Sequence, residues 1–325
     1  MTSKEINVVL VTFNRLECLK VVLDALCKQT VNISNILLVD NHSNDGTCEY
    51  LVNCGLANSQ DECVLQKSRI SNKTSFMYYR TQENLGGSGG FAKAIELIKD
   101  IPADYLWIMD DDVRPEPNCL ELLLTYMSDT VQACIPNRTD ENFDDVACKN
   151  IDFFSTLKFQ MYRRKSFYPK PYIEDYYSVC DMAFEGPLIS MEIIKKIGLP
   201  EAGFFIEYDD TDYAQRILEH TKILFITKAV LHRQLAKKTN IAEKKNRKYN
   251  WRYYYAIRNN ILFNHKYGKT LGAKHVGTAL LWLFHTSKSI YFGQIGNIKI
   301  INKAVKDGIL NKYGKMLTQE TFNKC

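Results

Sequence analysis

The chain has 325 residues, 46% of them hydrophobic and 24% charged, a soluble composition with length for one large core or two smaller ones. That excludes a disordered, collagenous or disulfide-stapled small protein. The formal net charge of +5 conceals a division: residues 233–325 carry 19 Lys/Arg against 3 Asp/Glu, whereas residues 1–232 carry 23 against 34.

Residues 7–13 (NVVLVTF) suit a buried strand, and Leu16, Leu19, Leu23 and Leu26 follow at helical spacing. Residues 35–40 (NILLVD) read as a second strand, with a helix over 44–52 beginning near Asp45. A third strand is expected over 75–80, a helix over 90–99, a fourth strand over 104–109 and a helix over 117–127. Such alternation predicts an α/β fold with a doubly wound, mostly parallel sheet. Residues 130–180 carry no clear period and read as irregular or short strands. A strand-to-helix pattern resumes over 186–197, then a helix over 210–218 and a strand over 223–226. Residues 237–248 read as a solvated basic connector. The expected domains are therefore 1–235, bearing the chemistry, and 236–325, basic and mainly helical, with helices over 251–263, 270–284 and 299–309.

None of the ten cysteines forms a C-x-x-C pair, which leaves zinc-ribbon and thioredoxin-like readings unsupported. Cys18 and Cys27 fall in apolar helical patterns, where a thiol acts as a small hydrophobe. No basic-then-apolar leader opens the sequence. The most apolar stretch, 278–284 (TALLWLF), is far shorter than the ~20 residues of a spanning helix. The expected compartment is the reducing cytoplasm.

Open α/β sheets bind ligands outside the carboxyl ends of their strands, and the polar clusters fall there. They are Thr12-Phe13-Asn14-Arg15, Asp40 through Gly46, Asn84 through Gly90, and Asp110-Asp111-Asp112. Asn, Asp and Gly favour turns and caps anyway, but four such clusters on one edge point to a site. Along an extended segment Asp110 and Asp112 share a side, a spacing that suits two oxygen ligands for Mg²⁺ or Mn²⁺ with phosphate. Gly87 through Ala92 also fits G-x-G-x-x-[GA]. Five residues separate it from the strand, however, and the acid downstream is a triplet, so a glycine-rich segment that lets a sugar or phosphate approach the backbone closely, at Gly86, Gly87 and Gly89, fits better than a dinucleotide site. A second acidic cluster, Glu207 through Asp212, follows the apolar Phe204-Phe205-Ile206 and offers a carboxylate to deprotonate an attacking hydroxyl. His232 ends another apolar run.

In this order the segments TFNR, DNHSNDGT, NLGGSGGF, DDDV and Tyr208-Asp209-Asp210 resemble a family 2 glycosyltransferase of the GT-A fold. The likeness covers roughly residues 5–235 and is nearest to bacterial galactofuranosyltransferases, with rhamnosyltransferases next. It implies that Thr12, Asn14, Arg15, Asn84 and Asp111 surround the donor nucleotide and that Asp40 holds the uracil of a UDP-sugar. It further implies that Asp110, Asp112 and His232 hold Mn²⁺ or Mg²⁺, that Asp210 is the general base, and that Asp209 holds the acceptor. Tyr208 stands where galactofuranosyltransferases often have Trp. WRYYYAIRNN (251–260) is similar to a segment seen in both groups.

The implied reaction is inverting, metal-dependent transfer of galactofuranose from UDP-galactofuranose to a glycan, with a lipid-linked acceptor. The alternatives are a rhamnosyltransferase using dTDP-rhamnose and an inactive nucleotide-sugar-binding homologue, which the intact acids argue against. The basic, aromatic tail suits the surface of an anionic bilayer, placing the protein on the inner face of the cell membrane. No RNA or DNA motif supports a nucleic-acid partner; a helical dimerisation or packing domain with a solvated basic face, in a homo-oligomer or within the chain, is the plainer reading of the tail.

Overall fold

The computed structural model describes residues 4–235, 248–318 and 321–322. The first half comprises β1 (Ile6–Thr12), α1 (Leu16–Cys27), β2 (Asn35–Asp40), α2 (Thr47–Asn53), β3 (Gln66–Arg69), β4 (Ser75–Arg80), α3 (Gly86–Ile98), β5 (Tyr105–Asp110), β6 (Val113–Pro115) and α4 (Cys119–Thr125). Next come β7 (Val131–Asp140), β8 (Phe143–Asp144), β9 (Cys148–Ile151), α5 (Met161–Arg164), β10 (Lys165–Phe167) and β11 (Tyr176–Val179). The chain continues through β12 (Leu188–Ser190), α6 (Met191–Ile197), α7 (Asp209–Leu218) and β13 (Lys222–Arg233). Three helices follow: α8 (Trp251–Tyr267), α9 (Gly277–Tyr291), entered through a π-helical turn at Gly272–Val276, and α10 (Asn297–Ile309).

Nine strands of an 11-stranded sheet run in the order β11-β13-β7-β12-β5-β1-β2-β4-β3, with β6 paired to β13 and β8 to β7 beside this path. Its block β5-β1-β2-β4 is parallel, and β12 and β3 flank it antiparallel. Helices cover both faces, which is why β1 and β2 read as unbroken apolar runs. Val8 and Leu10 pack with Leu19 and Leu23 of α1 and Leu120 of α4 on one face. Val9 and Val11 pack with Ile95 and Ile98 of α3 and Ile217 of α7 on the other. From β1 the chain builds outward to β2 and β4, then returns to β5 on β1's other side. That reversal places the ends of β1 and β5 at the switch point where such sheets bind ligands.

The doubly wound expectation holds, with corrections. Residues 130–180 contain the ten-residue β7 near the middle of the sheet; Gln132, Asn137, Arg138 and Thr139 break its apolar alternation and hide it. The edge strand β3 (QKSR) has no apolar residue to reveal it. β13 extends seven residues beyond the expected 226, to Arg233. The glycine segment forms the first turn of α3, which starts at Gly86, four residues ahead of the expected 90. Cys18 is half-buried and Cys27 exposed, so neither is a core hydrophobe.

The C-terminal helices share a core with the loops of the sheet half. Tyr254, Tyr255, Ile257 and Ile261 of α8 pack with Leu281 of α9, Ile301 of α10, and also Phe159 and Phe205. Residues 237–247 of the expected connector lie outside the described residues. Among those described, no helix is long and apolar enough to cross a membrane.

Candidate active site

At the switch point Asp111 is almost fully buried and acts as a hub. Its carboxylate accepts from the Thr12 hydroxyl at 2.7 Å, the Phe13 amide at 3.1 Å and Arg15 Nη1 at 2.8 Å. The same Arg15 Nη1 reaches Asp112 at 2.8 Å. Asp40, fully buried at the end of β2, accepts from the Ser43 amide and the Tyr78 hydroxyl and pairs with Arg80 at 3.4 Å. Asn14, at φ 54°, joins the first two loops: its amide donates to Ser43 and its side-chain oxygen accepts from the Asn44 amide.

Asn84 accepts from the Gly86 amide at 2.8 Å, tying the third loop to α3. On the side where a side chain would stand, the protein packs closely against most of these glycines. A Cβ on Gly86, at φ +75°, would lie 2.0 Å from the Phe205 carbonyl oxygen, and one on Gly90 2.7 Å from Val11. Gly89 is closed by Leu85 at 2.7 Å, whereas nothing lies within 4 Å of a Gly87 Cβ. Of the four, Gly87 is the one where a Cβ would meet nothing, and Gly89 lines a cavity together with Asn84, Leu85 and Lys93.

The acids at β5 fit a hard divalent cation. One oxygen from each of Asp110, Asp111 and Asp112 lies within 4.8 Å of the others, and Arg15 is the guanidinium paired with the last two. Burial, then repulsion from Asp111 and Asp112, pushes Asp110 well above the usual carboxylate range. Because Asp111 is engaged by protein donors, Asp110 and Asp112 are the ligands on offer, and carboxylate oxygens suit Mg²⁺ or Mn²⁺. His232 does not join this group: its Nε2 meets Glu116 Oε1 at 2.5 Å. Along β13 neighbours alternate in direction, and the adjacent Arg233 is the one whose charge reaches Asp112.

The second cluster opens on a cavity of about 780 Å³ lined by Tyr208, Asp210, Lys165, Asp181, Arg138 and, from the C-terminal helices, Asn260, Phe284 and His285. Asp209 and Asp210 separate at the start of α7. Asp209 is buried near Ser88 in the first turn of α3, while Asp210 lines the cavity. Burial, then the charges of Asp209 and Asp181, raise Asp210 to about 8, with Lys165 opposing. Lys165 is itself ion-paired to Asp181. Burial also raises Asp209 to about 6. Arg138, on the cavity wall, pairs with Glu185 at 3.2 Å, and Glu185 raises both Asp110 and Asp112. This network joins the two acidic clusters.

The turn before α7 is strained: Phe205, Glu207 and Tyr208 all have positive φ, at 67°, 66° and 75°, without a glycine among them. Such residues cost roughly 1–3 kcal/mol each and persist only where their surroundings impose them. Here α8 imposes them. Asn259 Nδ2 lies 3.1 Å from the Phe204, 2.8 Å from the Ile206 and 3.1 Å from the Glu207 carbonyl oxygens. Arg258 Nη2 donates to the Gly203 and Phe204 carbonyls at 3.1 and 2.8 Å, and Asn260 pairs with the Tyr208 hydroxyl at 2.9 Å. The Arg-Asn-Asn run inside WRYYYAIRNN thus has a role that residue patterning missed, its one signal being three polar residues in succession where the helix is buried all round. Lys165, Asp181, Arg138 and Glu185 were missed because they fall in or beside the stretch without periodicity.

A family model, glycosyl transferase family 2, matches residues 7–198. Over 229 residues the chain is 25% identical to the galactofuranosyltransferase GlfT1 of Mycolicibacterium smegmatis, covering 67% of each protein. Over 247 residues it is 22% identical to the galactofuranosyltransferase GlfT2 of Mycobacterium tuberculosis, covering 70% of this chain and 37% of that one. Among solved structures, the mannosyltransferase PcManGT from Pyrobaculum calidifontis, in complex with GDP-Man and Mn²⁺, superposes with a TM-score of 0.53 at 13% identity, over 96% of this chain and 89% of the other. GalNAc-T7 with UDP, GalNAc and Mn²⁺ gives 0.54 at 13% identity, over 89% and 57%. At that identity the likeness establishes the fold. The chain belongs to glycosyl transferase family 2: it is a glycosyltransferase of GT-A fold that resembles the galactofuranosyltransferases.

Proposed function

We propose that the protein is an inverting, metal-dependent galactofuranosyltransferase, moving galactofuranose from UDP-galactofuranose to a hydroxyl of a growing bacterial surface glycan. The observation that carries the reading is the pairing of two acidic sites on one edge of the fold, Asp110/Asp112 at the switch point and Asp210 in the adjoining cavity. The galactofuranosyl donor is drawn from the relatives, both galactofuranosyltransferases.

Asp110 and Asp112 would hold Mn²⁺ or Mg²⁺, which when bound stabilises charge on a diphosphate leaving group. Thr12, Asn14, Arg15 and Asp40 order the loops around the nucleotide, and the open face at Gly87 leaves room for the sugar. Asp210 accepts the proton of the acceptor hydroxyl as its oxygen attacks the anomeric carbon from the face opposite the nucleotide. With a pKa of about 8, it lies close enough to neutrality for efficient proton transfer. Tyr208 gives the acceptor sugar an aromatic wall. The lipid-linked acceptor and the place on the inner face of the membrane belong to the same proposal, supported by the basic C-terminal third.

Incubation with Mn²⁺ and, separately, UDP-galactofuranose, UDP-galactopyranose, UDP-glucose or dTDP-rhamnose, with release of nucleotide as the readout, tests the donor. Turnover fastest with UDP-galactofuranose supports the reading. Preference for dTDP-rhamnose replaces it with a rhamnosyltransferase, and no turnover of any donor marks an inactive homologue.

A further inference from the structure

The C-terminal helices carry a surface that the transfer chemistry leaves unused. From Trp251 through Lys306 the sequence holds nine Lys or Arg and no Asp or Glu. Val276, Leu283 and Ile290 recur every seven residues along the π turn and α9, so they stack on one side of the helix. They are 51%, 53% and 58% exposed, and Tyr291 and Ile295, at 81% and 68%, extend the strip past its end. Leu281, Phe284, His285 and Lys288 occupy the opposite side, at i, i+3, i+4 and i+7, and line the cavity that contains Asp210.

We propose that α9 is an interfacial helix, with its Val276–Leu283–Ile290 face seated in the surface of an anionic bilayer while its other face walls the acceptor cavity. Of the nine, Lys266 pairs with Asp212, Lys303 with Asp307, and Arg258 is buried. Arg252, Lys269, Lys274, Lys288 and Lys306 still give these helices an excess of positive charge, so the exposed apolar strip and its setting match that environment on both counts: acyl chains for the strip, anionic headgroups for the lysines. A nucleic acid would satisfy only the second. A second copy of this chain would bring the same basic helices into contact with themselves, like charge against like charge. Docking stands apart from the sugar chemistry, whereas delivery of a membrane-borne acceptor along α9 to Asp210 rests on the transferase reading.

The test uses the full chain in flotation with vesicles of phosphatidylcholine alone and of equimolar phosphatidylcholine and phosphatidylglycerol, at low and high salt. The wild type should float with the anionic vesicles at low salt and fall away as salt screens the attraction. The double variant Leu283→Glu/Ile290→Glu should bind at least ~10-fold more weakly and keep its turnover on a water-soluble acceptor, since neither side chain touches the cavity. The single variant Ile290→Ser, a milder change on an exposed site, should weaken binding without altering the melting temperature. Absence of flotation at low salt, or flotation of the double variant equal to wild type, overturns the proposal. So does a concentration-dependent dimer that the double variant abolishes without any vesicle binding, which assigns the strip to a second copy. Flotation without sugar transfer leaves the docking intact and counts against the transferase reading instead.

Discussion

Asp111 illustrates how neighbouring residues of one type divide their work. β5 ends at Asp110 and the next two acids lie in the turn that follows, yet all three carboxylates converge, and only the structure shows that the middle one is used up by Thr12, Phe13 and Arg15. Asp112→Ala should therefore abolish Mn²⁺-dependent UDP affinity while leaving the fold intact, as read by calorimetry with and without the metal. UDP affinity that never depended on Mn²⁺ would show the metal site to be misplaced. Asp210 makes a different prediction. Its folded pKa of about 8 stands above the ~3.9 of a free Asp, so the folded chain holds this proton more tightly than the unfolded one. The stability it contributes is complete below pH ~4 and is lost as the pH climbs through 8. Asp210→Asn, which cannot charge, should melt above wild type at pH 8, with the gap closing toward pH 4. An equal gap at both values would contradict the burial argument.

The element scale is where residue patterning and structure part most clearly. Periodicity suffices for β1, β2 and α1, whose buried faces repeat cleanly. It fails for the turn at 205–208, because nothing in Phe-Ile-Glu-Tyr announces three left-handed residues; the conformation comes from α8, some fifty residues later. Two or three hydrogen bonds of about 1 kcal/mol each are of the right size to offset part of the strain. Asn259→Ala should let the turn relax and displace Asp210, lowering kcat by about 10–100-fold with the KM for the sugar nucleotide unchanged. Tyr255→Phe, which loses bonds to Met316 and Leu317 but none to the turn, is the matched control for loss of stability alone. Equal kinetic effects of the two substitutions would reduce the clamp to packing.

For the whole molecule, the charge division does not coincide with a division of the core, because the basic helices pack with residues of the acidic part. The sheet edge and its acids were legible because strand ends, turn residues and carboxylates coincide within short segments, and the family match spans the same region, residues 7–198. The surroundings of the Asp210 cavity were less so: β7, the Arg138–Glu185 network and the Arg258–Asn259–Asn260 clamp are assembled from positions far apart, and no local pattern marks them. Helices expected to form a separate basic unit share a core with Phe159 and Phe205 and wall the cavity. The central claim is that this cavity delivers an acceptor hydroxyl to Asp210 while the donor sits at the β1–β5 edge. Its most direct test compares wild type and Asp210→Asn for turnover and for UDP affinity in Mn²⁺. General-base catalysis contributes ~10²–10⁴-fold, so turnover should fall by at least that lower figure while UDP affinity stays at the wild-type value. Wild-type turnover in the variant, or loss of UDP binding together with activity, would contradict the account.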